Sequence, residues 1–389
     1  MMKTLTELSS AVNQKCFRLL NLLFHFRFFP RQKNTLLILK LDAIGDYILF
    51  RNYLQSISQS ELYKNHHIVL CGSEIYKDIA EHFDNEFVDE FIWINHKVKF
   101  NFWYCLRLYI RVQKMGFETV LNPVFSSDNW ADLLVRITNA KVRIGFEGDL
   151  TNSNWKEKQK NRNCYTQLIA NETEHLFEFY RNRQFFSKVL EVECKMPIRP
   201  ELIVSKGLVR QDAIVICPGS GQPHKIWPAE KFTALILRLG QEFKPEKIFI
   251  CGGNGDKATG ALIASQLKGN LPYLTDLTGK TTLVELTERI ATARLVICND
   301  SSAFHIAVAL NVPVVCISNG ENYGRFSPYP AALSANSKVV YPDELDATKD
   351  ETVRLQKYCR TIKEIGIEKI EINKVLSQVT PFLSHAPNA

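Results

Sequence analysis

Short apolar runs alternate with helical patterns along most of the chain, and they do so in two separate series. The first series begins at Leu36 and continues to about residue 144, and the second extends from Ala213 to Ile317. Strands that alternate with helical stretches of roughly 10 to 15 residues are typical of βαβ units, which build a parallel sheet. The pattern predicts an α/β protein with two Rossmann-like domains that face a central cleft.

The length of the chain and one proline-containing stretch suggest where the domains divide. A chain of 389 residues suits two domains of about 150 to 190 residues each. A polar, basic stretch ends at "KMPIRPE", whose two prolines are typical of a linker. We expect a basic amphipathic segment at residues 1–34, one Rossmann-like domain at 35–195 and a second at 205–389.

The positive charge of the chain is concentrated in two places. Residues 1–34 hold six lysines and arginines against Glu7 alone, and residues 97–114 hold five with no acid. Cations among Phe, Leu and Trp attract anionic lipid surfaces or phosphorylated ligands, although a solvated basic face has the same pattern. Nucleic acid is not an expected partner, because no binding motif accompanies the charge. No apolar run reaches the roughly 18 residues of a membrane span, and no signal peptide is recognised.

The ten cysteines form no C-x-x-C pair and show no metal-ligand spacing. Half of them lie in or beside β-like runs, where free cysteine behaves as a small buried apolar residue. These are Cys71, Cys217, Cys251, Cys298 and Cys316. Reduced thiols suggest a cytoplasmic location, and the sequence predicts no bound metal.

The first stretch with chemical potential is "LLILKLDAIGDYILF", residues 36 to 50, where a strand gives way to a helical pattern. Ligands bind at the carboxyl ends of parallel strands in open α/β sheets. Asp46 is therefore a candidate catalytic carboxylate, with capping of the helix as its alternative role. Asp42 is the rival for the same role, and Asp42 and Gly45 could otherwise contact a substrate or serve the loop itself.

The second stretch is "CPGSGQPHKIWPAEKF", residues 217 to 232. Glycine allows the backbone to approach a phosphate, a serine can donate a hydrogen bond and a lysine adds positive charge. We therefore predict that Ser220, Gly221 and Lys225 bind the phosphate of a ligand. The alternative is an ordinary strand–helix turn with a surface lysine.

The third stretch is "CNDSSAFHIAVALNVPVV", residues 298 to 315, in which a strand again ends on polar residues before a helix. Ser301 and Ser302 place hydroxyls and free N–H groups where a pyrophosphate could bind. Asp300 and both serines could instead only cap the helix. His305 follows on the first turns, and a lone histidine there is more often packed than a ligand.

A fourth stretch supports a different function. "GNGDKA", residues 253 to 258, fits the dinucleotide fingerprint G-x-G-x-x-A, with Asp276 at about the right distance downstream. It leaves an NAD-dependent oxidoreductase as an alternative.

Three of these stretches, in this order, resemble the glycosyltransferase family 9 heptosyltransferases of lipopolysaccharide core assembly. They are "ILKLDAIGDYILF", "CPGSGQPHKIWPAEKF" and "NDSSAFHIAVALNVPVV". The resemblance implies a GT-B fold and inverting, metal-independent transfer of a sugar from a nucleotide donor, typically ADP-heptose, without a cofactor. It also implies that the acceptor binds mostly to the first domain and the donor mostly to the second.

The resemblance assigns roles to individual residues. Asp46 matches the proposed general base, and Ser220 and Lys225 match donor phosphate contacts. Asp300, Ser301 and His305 fall in the donor-binding turn, whereas Ser302 stands where the family usually has glycine.

The expected acceptor is a lipid-linked saccharide of the lipopolysaccharide-core type. It would be met at the inner face of the cytoplasmic membrane, with possible contact to anionic lipid. A non-catalytic nucleotide-sugar-binding protein is the remaining alternative.

Overall fold

The computed structural model describes residues 19–191, 196–204, 208–359 and 366–384. The chain divides into two compact units. The first comprises Met1–Ala43, Tyr53–Glu174 and Arg181–Met196, and the second comprises Ile44–Asn52, His175–Tyr180 and Pro197–Ala389. Two short segments from the first half of the chain therefore pack with the second unit, a detail that a division by sequence at residues 195–205 does not contain.

The first unit is built on a six-stranded sheet with the order β3-β2-β1-β4-β5-β6, in which every neighbouring pair is parallel. Its strands are β1 Thr35–Lys40, β2 His67–Ser73, β3 Glu90–Ile94, β4 Thr119–Asn122, β5 Val142–Phe146 and β6 Gln167–Ile169. The central strand β1 is buried along nearly its whole length, because it is covered on both faces as parallel strands usually are.

The helices of the first half of the chain connect these strands. They are α1 Ile44–Phe50, α2 Asn52–Ser58, α3 Lys77–Phe83, α4 Phe102–Met115, α5 Asn129–Ile137, α6 Trp155–Asn161 and α7 Glu178–Leu190. Helix α4 has a side-chain N-cap, because the Asn101 side chain accepts a hydrogen bond from the N–H of Tyr104. It ends at Gly116, whose positive φ of 64° suits glycine.

The second unit repeats this plan with a second six-stranded parallel sheet, of order β12-β11-β10-β7-β8-β9. Its strands are β7 Ala213–Cys217, β8 Lys247–Ile250, β9 Leu274–Asp276, β10 Leu295–Asn299, β11 Val314–Ile317 and β12 Ser337–Val340. Its helices are α8 Ala229–Phe243, α9 Lys257–Leu267, α10 Leu283–Ala291, α11 Ser302–Ala309, α12 Asp343–Asp346, α13 Glu351–Tyr358 and α14 Ile372–Leu383.

Both sheets have the strand order of a Rossmann fold, so the predicted architecture of two Rossmann-like sheets is confirmed. Five apolar runs in the first series and four in the second predict strands, and all nine are strands in the structure. The sequence interpretation did not include β6, β9 and β12. Proline often occupies the first position of a helix, which predicts a helix that begins at Pro228, but Pro228 is the residue before α8. The five cysteines predicted to be buried and unpaired are so. Among the described residues, no helix is both long and apolar enough to cross a bilayer.

Candidate active site

The loop that follows β7 is fixed at both ends by one buried side chain. Asn299, the last residue of β10, donates from Nδ2 to the carbonyl of Pro218 (2.6 Å) and accepts at Oδ1 from the N–H of Trp227 (3.2 Å). Strands β7 and β10 are neighbours, so their carboxyl ends lie side by side. Trp227 is fully buried and its indole N–H donates to the carbonyl of Ile370 (3.0 Å). Sequence analysis did not single out Asn299, although it directly precedes Asp300.

Within that loop the predicted donor-binding residues meet the next predicted stretch. Ser220 donates from its hydroxyl to the carbonyl of Asp300 (3.1 Å), and the ammonium of Lys225 donates to the Asp300 carboxylate (3.1 Å). Gly221 is exposed, and apart from its own chain neighbours no atom of the described residues lies within 4 Å of the point where a Cβ would stand. The structure thus brings Ser220, Lys225 and Asp300 together and leaves open space at Gly221.

The charge on Lys225 is retained although the side chain is only 14% exposed. Burial alone would lower its pKa, but the carboxylates of Asp300 and Glu321 outweigh burial and raise the pKa above the ordinary value. An ammonium group has three N–H donors, and Asp300 takes one of them. Lys225 is therefore a cation at neutral pH with donors left for an anionic ligand.

A second close polar contact lies near Lys225. His224 contacts the carboxylate of Glu321 through Nε2, and Glu321 is almost fully buried. The side chain of Asn319 accepts from the N–H of Glu321 (3.0 Å). Glu321 lies beyond the end of β11 and belongs to no motif, which explains why sequence analysis missed it.

The start of α11 presents unused hydrogen-bonding groups. Ser301 occupies the N-cap position, yet its hydroxyl makes no capping hydrogen bond. Ser301 and Ser302 are both partly exposed. The first N–H groups of a helix have no intrahelical partner and carry the positive end of the helix dipole. This end of α11, next to Asp300, is therefore suited to an anion.

His305 is a packed residue in this structure. Its ring is 5% exposed, and Nδ1 lies 2.8 Å from the hydroxyl of Tyr329. Burial lowers the pKa of His305 from 6.5 to about 4, so the ring is neutral at pH 7. A Cβ on Gly45 would stand 2.6 Å from His305 Cδ2. Gly45 thus allows α1 to approach α11 closely, and the two helices pack together.

Asp46 belongs to the helix that this contact positions. It is the third residue of α1, in the first turn, and it is partly exposed. The four residues after it are buried. The end of α1 is tied down as well, because Arg51 and Asn52 donate to the carbonyl of Glu201 (2.6 and 2.8 Å). Asp46 and the donor-binding residues consequently belong to one compact unit.

Asp42, the rival carboxylate, has a different environment in the first unit. It accepts from the ammonium of Lys40 (2.7 Å), a lysine with no exposed surface. The hydroxyl of Tyr76 donates to the carbonyl of Lys40. Asp42 is thus the counter-ion of a buried lysine at the end of β1.

Asp42 also lines a cavity of about 320 Å³ in the first unit. Other lining residues are His96, Asp128, Trp130 and Asn152. The Asp128 carboxylate caps α5 (2.8 Å to the N–H of Ala131) and pairs with Lys99 (3.3 Å). Burial lowers the pKa of His96, with the charge of Lys99 adding to the effect. The cavity therefore combines hydrogen-bonding groups, an aromatic ring and carboxylates that are balanced by lysines.

The dinucleotide-like stretch has an internal role. The carboxylate of Asp256 accepts from the N–H of Gly253 (2.8 Å) and occupies the space beside Gly219 and Gly252 where a Cβ would stand. Asp276 accepts from both the N–H and the hydroxyl of Thr278 (2.9 and 2.6 Å). Asp276, the acid that the fingerprint would offer to a nucleotide, thus bonds to its own turn, and Asp256 fills the space beside two glycines. In the described part of the chain, no three His, Cys, Asp or Glu side chains are grouped as metal ligands would be.

Comparisons with known proteins agree with this picture. The family model "Glycosyltransferase family 9 (heptosyltransferase)" matches residues 124–358. Lipooligosaccharide heptosyltransferase 2 of Campylobacter jejuni is 24% identical over 336 residues, which are 85% of this chain and 96% of that protein. Lipooligosaccharide heptosyltransferase 2 of Haemophilus influenzae is 32% identical over 130 residues, 33% of this chain and 36% of that protein.

A solved structure extends the comparison to the fold. The structure of the Escherichia coli ADP-heptose lipopolysaccharide heptosyltransferase II superposes with a TM-score of 0.64 at 17% identity, covering 90% of this chain and 98% of that one. The α/β fold of GT-B type predicted from the sequence is therefore confirmed.

Proposed function

The chain belongs to glycosyltransferase family 9 and is a glycosyltransferase; from this we propose that it transfers heptose from ADP-heptose, with inversion, onto a saccharide of the lipopolysaccharide core. One observation carries the proposal. The Lys225 ammonium, the Ser220 hydroxyl and the start of α11 all meet at Asp300, in the unit that also holds Asp46.

The names of the related proteins support the choice of sugar and acceptor. The C. jejuni and H. influenzae relatives are named lipooligosaccharide heptosyltransferases, and the E. coli structure is named for ADP-heptose. We carry these substrates over to this chain as part of the proposal.

Inverting transfer is a single displacement at the anomeric carbon. Asp46 takes the proton from the acceptor hydroxyl as the oxygen attacks, which is general-base catalysis. The bond to the nucleoside diphosphate breaks at the same time, and negative charge builds up on the departing phosphate. Lys225 and the N-terminus of α11 stabilise that charge. The proposed reaction therefore needs neither a metal nor a cofactor.

The acceptor is assigned to the first unit. The cavity beside Asp42 offers an aromatic ring, an amide and an imidazole, which suit a polyhydroxy sugar. The described residues that line it include no lysine or arginine, and its two carboxylates are already paired with Lys40 and Lys99. We assign to it an uncharged sugar ring of the acceptor.

We place the reaction at the inner face of the cytoplasmic membrane, where a lipid-linked acceptor is accessible. The basic segment at residues 1–34 supports contact with anionic lipid. Residues 1–18 of that segment lie outside the described residues, so its structural support comes from residues 19–34.

The deciding experiment is a thermal-shift screen of ADP, UDP, GDP and CDP sugars, followed by a transfer assay. Stabilisation by a ligand is RT ln(1 + [L]/Kd), about 2.7 kcal/mol at a hundredfold excess over Kd. We expect ADP-heptose to stabilise most, and NMR of the product to show an inverted anomeric centre. Stronger stabilisation by a sugar linked to another nucleotide would assign a different donor to the enzyme. Retention of the anomeric configuration in the product would refute a single displacement. Binding without turnover of any acceptor would leave a nucleotide-sugar-binding protein.

A further inference from the structure

The exposed side of α4 carries a regular row of one tryptophan and three cations. Trp103, Arg107, Arg111 and Lys114 are spaced four, four and three residues apart, so they share one helix face. Trp103 is 65% exposed, an unusual position for so large an apolar ring. Of the three cations, Arg111 pairs with Glu90 (2.7 Å). This row belongs to the basic block at residues 97–114, and the proposed reaction gives none of the four residues in the row a role.

The chain leading into β1 lies against the neighbouring side of the same helix. The ring of Phe24 packs edge-on against Tyr109, with centroids 5.5 Å apart. The side-chain amide of Gln113 donates to the carbonyls of Phe24 and Phe26 (3.1 and 3.0 Å) and accepts from the N–H of Phe28 (3.2 Å). These bonds fix residues 24–28 along α4.

That fixed segment turns much of its apolar surface outward. The exposed residues are Leu19 (58%), Leu22 (61%), Leu23 (49%), Phe26 (71%) and Phe28 (56%). Side chains of this size are normally buried, and clusters of them on a surface mark an interaction site. We use the term docking face for the exposed side chains of residues 19–33 together with Trp103, Arg107, Arg111 and Lys114.

The charge of the docking face selects one kind of partner. The docking face contains six lysines and arginines and no acid; the six are Arg27, Arg31, Lys33, Arg107, Arg111 and Lys114. A surface that mixes Leu, Phe and Trp with cations suits the boundary between anionic headgroups and acyl chains. A nucleic acid would match the charge but not the exposed leucines. We infer that the docking face binds anionic phospholipid bilayers, with Trp103 entering the interface. This inference rests on the proposed function and deepens it, because it names the side chains that meet the lipid and gives the 97–114 block a role.

A deletion of residues 1–34 is a poor test of this inference. Leu20 and Phe24 belong to the hydrophobic core of the first unit, and they are 3% and 7% exposed. Removing them would open that core, so lost vesicle binding would have two explanations. Substitutions at exposed positions avoid this difficulty.

The chain offers a matched control for the key tryptophan. Trp155 in α6 is 63% exposed, nearly the same as Trp103. We expect Trp103→Ala to weaken co-sedimentation of the full chain with phosphatidylcholine–phosphatidylglycerol vesicles by roughly tenfold, because a large apolar ring no longer leaves water. Trp155→Ala should bind as the wild type does. Equal binding by the two variants, or a loss confined to Trp155→Ala, overturns the inference.

A second pair of variants tests the charge. Arg107→Gln with Lys114→Gln should weaken binding to anionic vesicles by about fivefold for each charge removed. The control is Lys156→Gln with Lys160→Gln on α6, where both lysines are exposed. Pure phosphatidylcholine vesicles should bind the wild type weakly. Binding that is equally strong to neutral vesicles contradicts the charge argument, and a dimer that Trp103→Ala dissociates would assign the face to a second copy of the chain.

The vesicle-binding experiments can fail or succeed independently of the test of the proposed function. All four variants should keep wild-type thermal stabilisation by the nucleotide donor and wild-type transfer to a delipidated acceptor. Vesicle binding that depends on Trp103 without any sugar transfer would support the docking face and refute the proposed reaction. Sugar transfer without vesicle binding would support the proposed reaction and refute the docking face.

Discussion

The two sheets share one strand order, but the residues at their carboxyl ends differ. Each sheet places a lysine–aspartate pair there: Lys40 with Asp42 in the first unit, and Lys225 with Asp300 in the second. Lys40 has no exposed surface and its partner is two residues away on the same strand end. Lys225 is 14% exposed, follows a glycine-containing loop and pairs across two neighbouring strands.

The comparison shows that topology sets where a loop lies and that the residues of the loop decide what it can bind. In the first unit the pair neutralises a buried charge. In the second, the ammonium keeps donors for a ligand, because Asp300 takes only one of its three N–H groups and α11 begins directly after the Asp300–Ser301 turn. The first pair is therefore structural, and the second is a candidate phosphate site.

The largest expected effect is at Asp46. This residue lies in the first half of the sequence but belongs to the second unit. Asparagine has nearly the same size but cannot take a proton at neutral pH, so Asp46→Asn should lower turnover by roughly 10² to 10⁴. The free energy of unfolding should change by no more than about 1 kcal/mol. Donor affinity should stay unchanged, since Lys225 and Ser220 are intact. The measurement is transfer with the true donor and acceptor.

Asp42→Asn is the matched variant for that experiment. It removes the counter-ion of buried Lys40 and should therefore lower the free energy of unfolding, by about 3 to 5 kcal/mol for a fully buried pair and less here, since Asp42 is partly exposed. A near wild-type rate for Asp46→Asn, together with a large loss for folded Asp42→Asn, would transfer the role of base to Asp42.

Lys225→Met should produce the next largest effect. Loss of a charge-assisted hydrogen bond to the donor phosphates should weaken nucleotide binding by roughly 1.5 to 3 kcal/mol, measured by calorimetry. The substitution also leaves Asp300 buried without its cation, so the protein should lose stability. The double variant with Asp300→Asn should recover that stability but not the affinity.

Lys40→Met is the matched variant in the first unit, because it should destabilise that unit without changing nucleotide affinity. Unchanged affinity in Lys225→Met would remove Lys225 from the site.

Much of this molecule could be predicted locally, and the limits have physical causes. Central strands such as β1, β7 and β10 are buried along their length and appear in the sequence as apolar runs. Strands β6, β9 and β12 have only three or four residues, lie at or near a sheet edge and are partly exposed, so they leave no such run.

Some residues of the candidate site could likewise be predicted from the local sequence, and others could not. Ser220, Lys225 and Asp300 could be recognised because each follows an apolar strand. Their meeting depends on β7 and β10 being neighbours, which is a contact between residues about 80 positions apart. Asn299 and Glu321 act through such contacts alone, so no local pattern could single them out.

The last expected effect depends on pH and concerns His305, the buried residue that supports α1 from α11. Its pKa is about 4 in the folded protein and ordinarily 6.5, mainly because burial disfavours the charged ring. Between these values the unfolded chain binds a proton that the folded protein does not. The free energy of unfolding should therefore be complete above pH 6.5, fall as the pH drops towards 4 and level off below it. Urea unfolding at pH 7.5 and pH 4.5 measures this change, which is at most about 3 kcal/mol. His305→Gln retains a polar partner for Tyr329 but has no such proton, so the stability difference between the wild type and this variant should shrink as the pH falls. A difference that stays constant across the range would mean that His305 is protonated in the folded protein near its ordinary pKa, and that the contact with Gly45 opens to admit water.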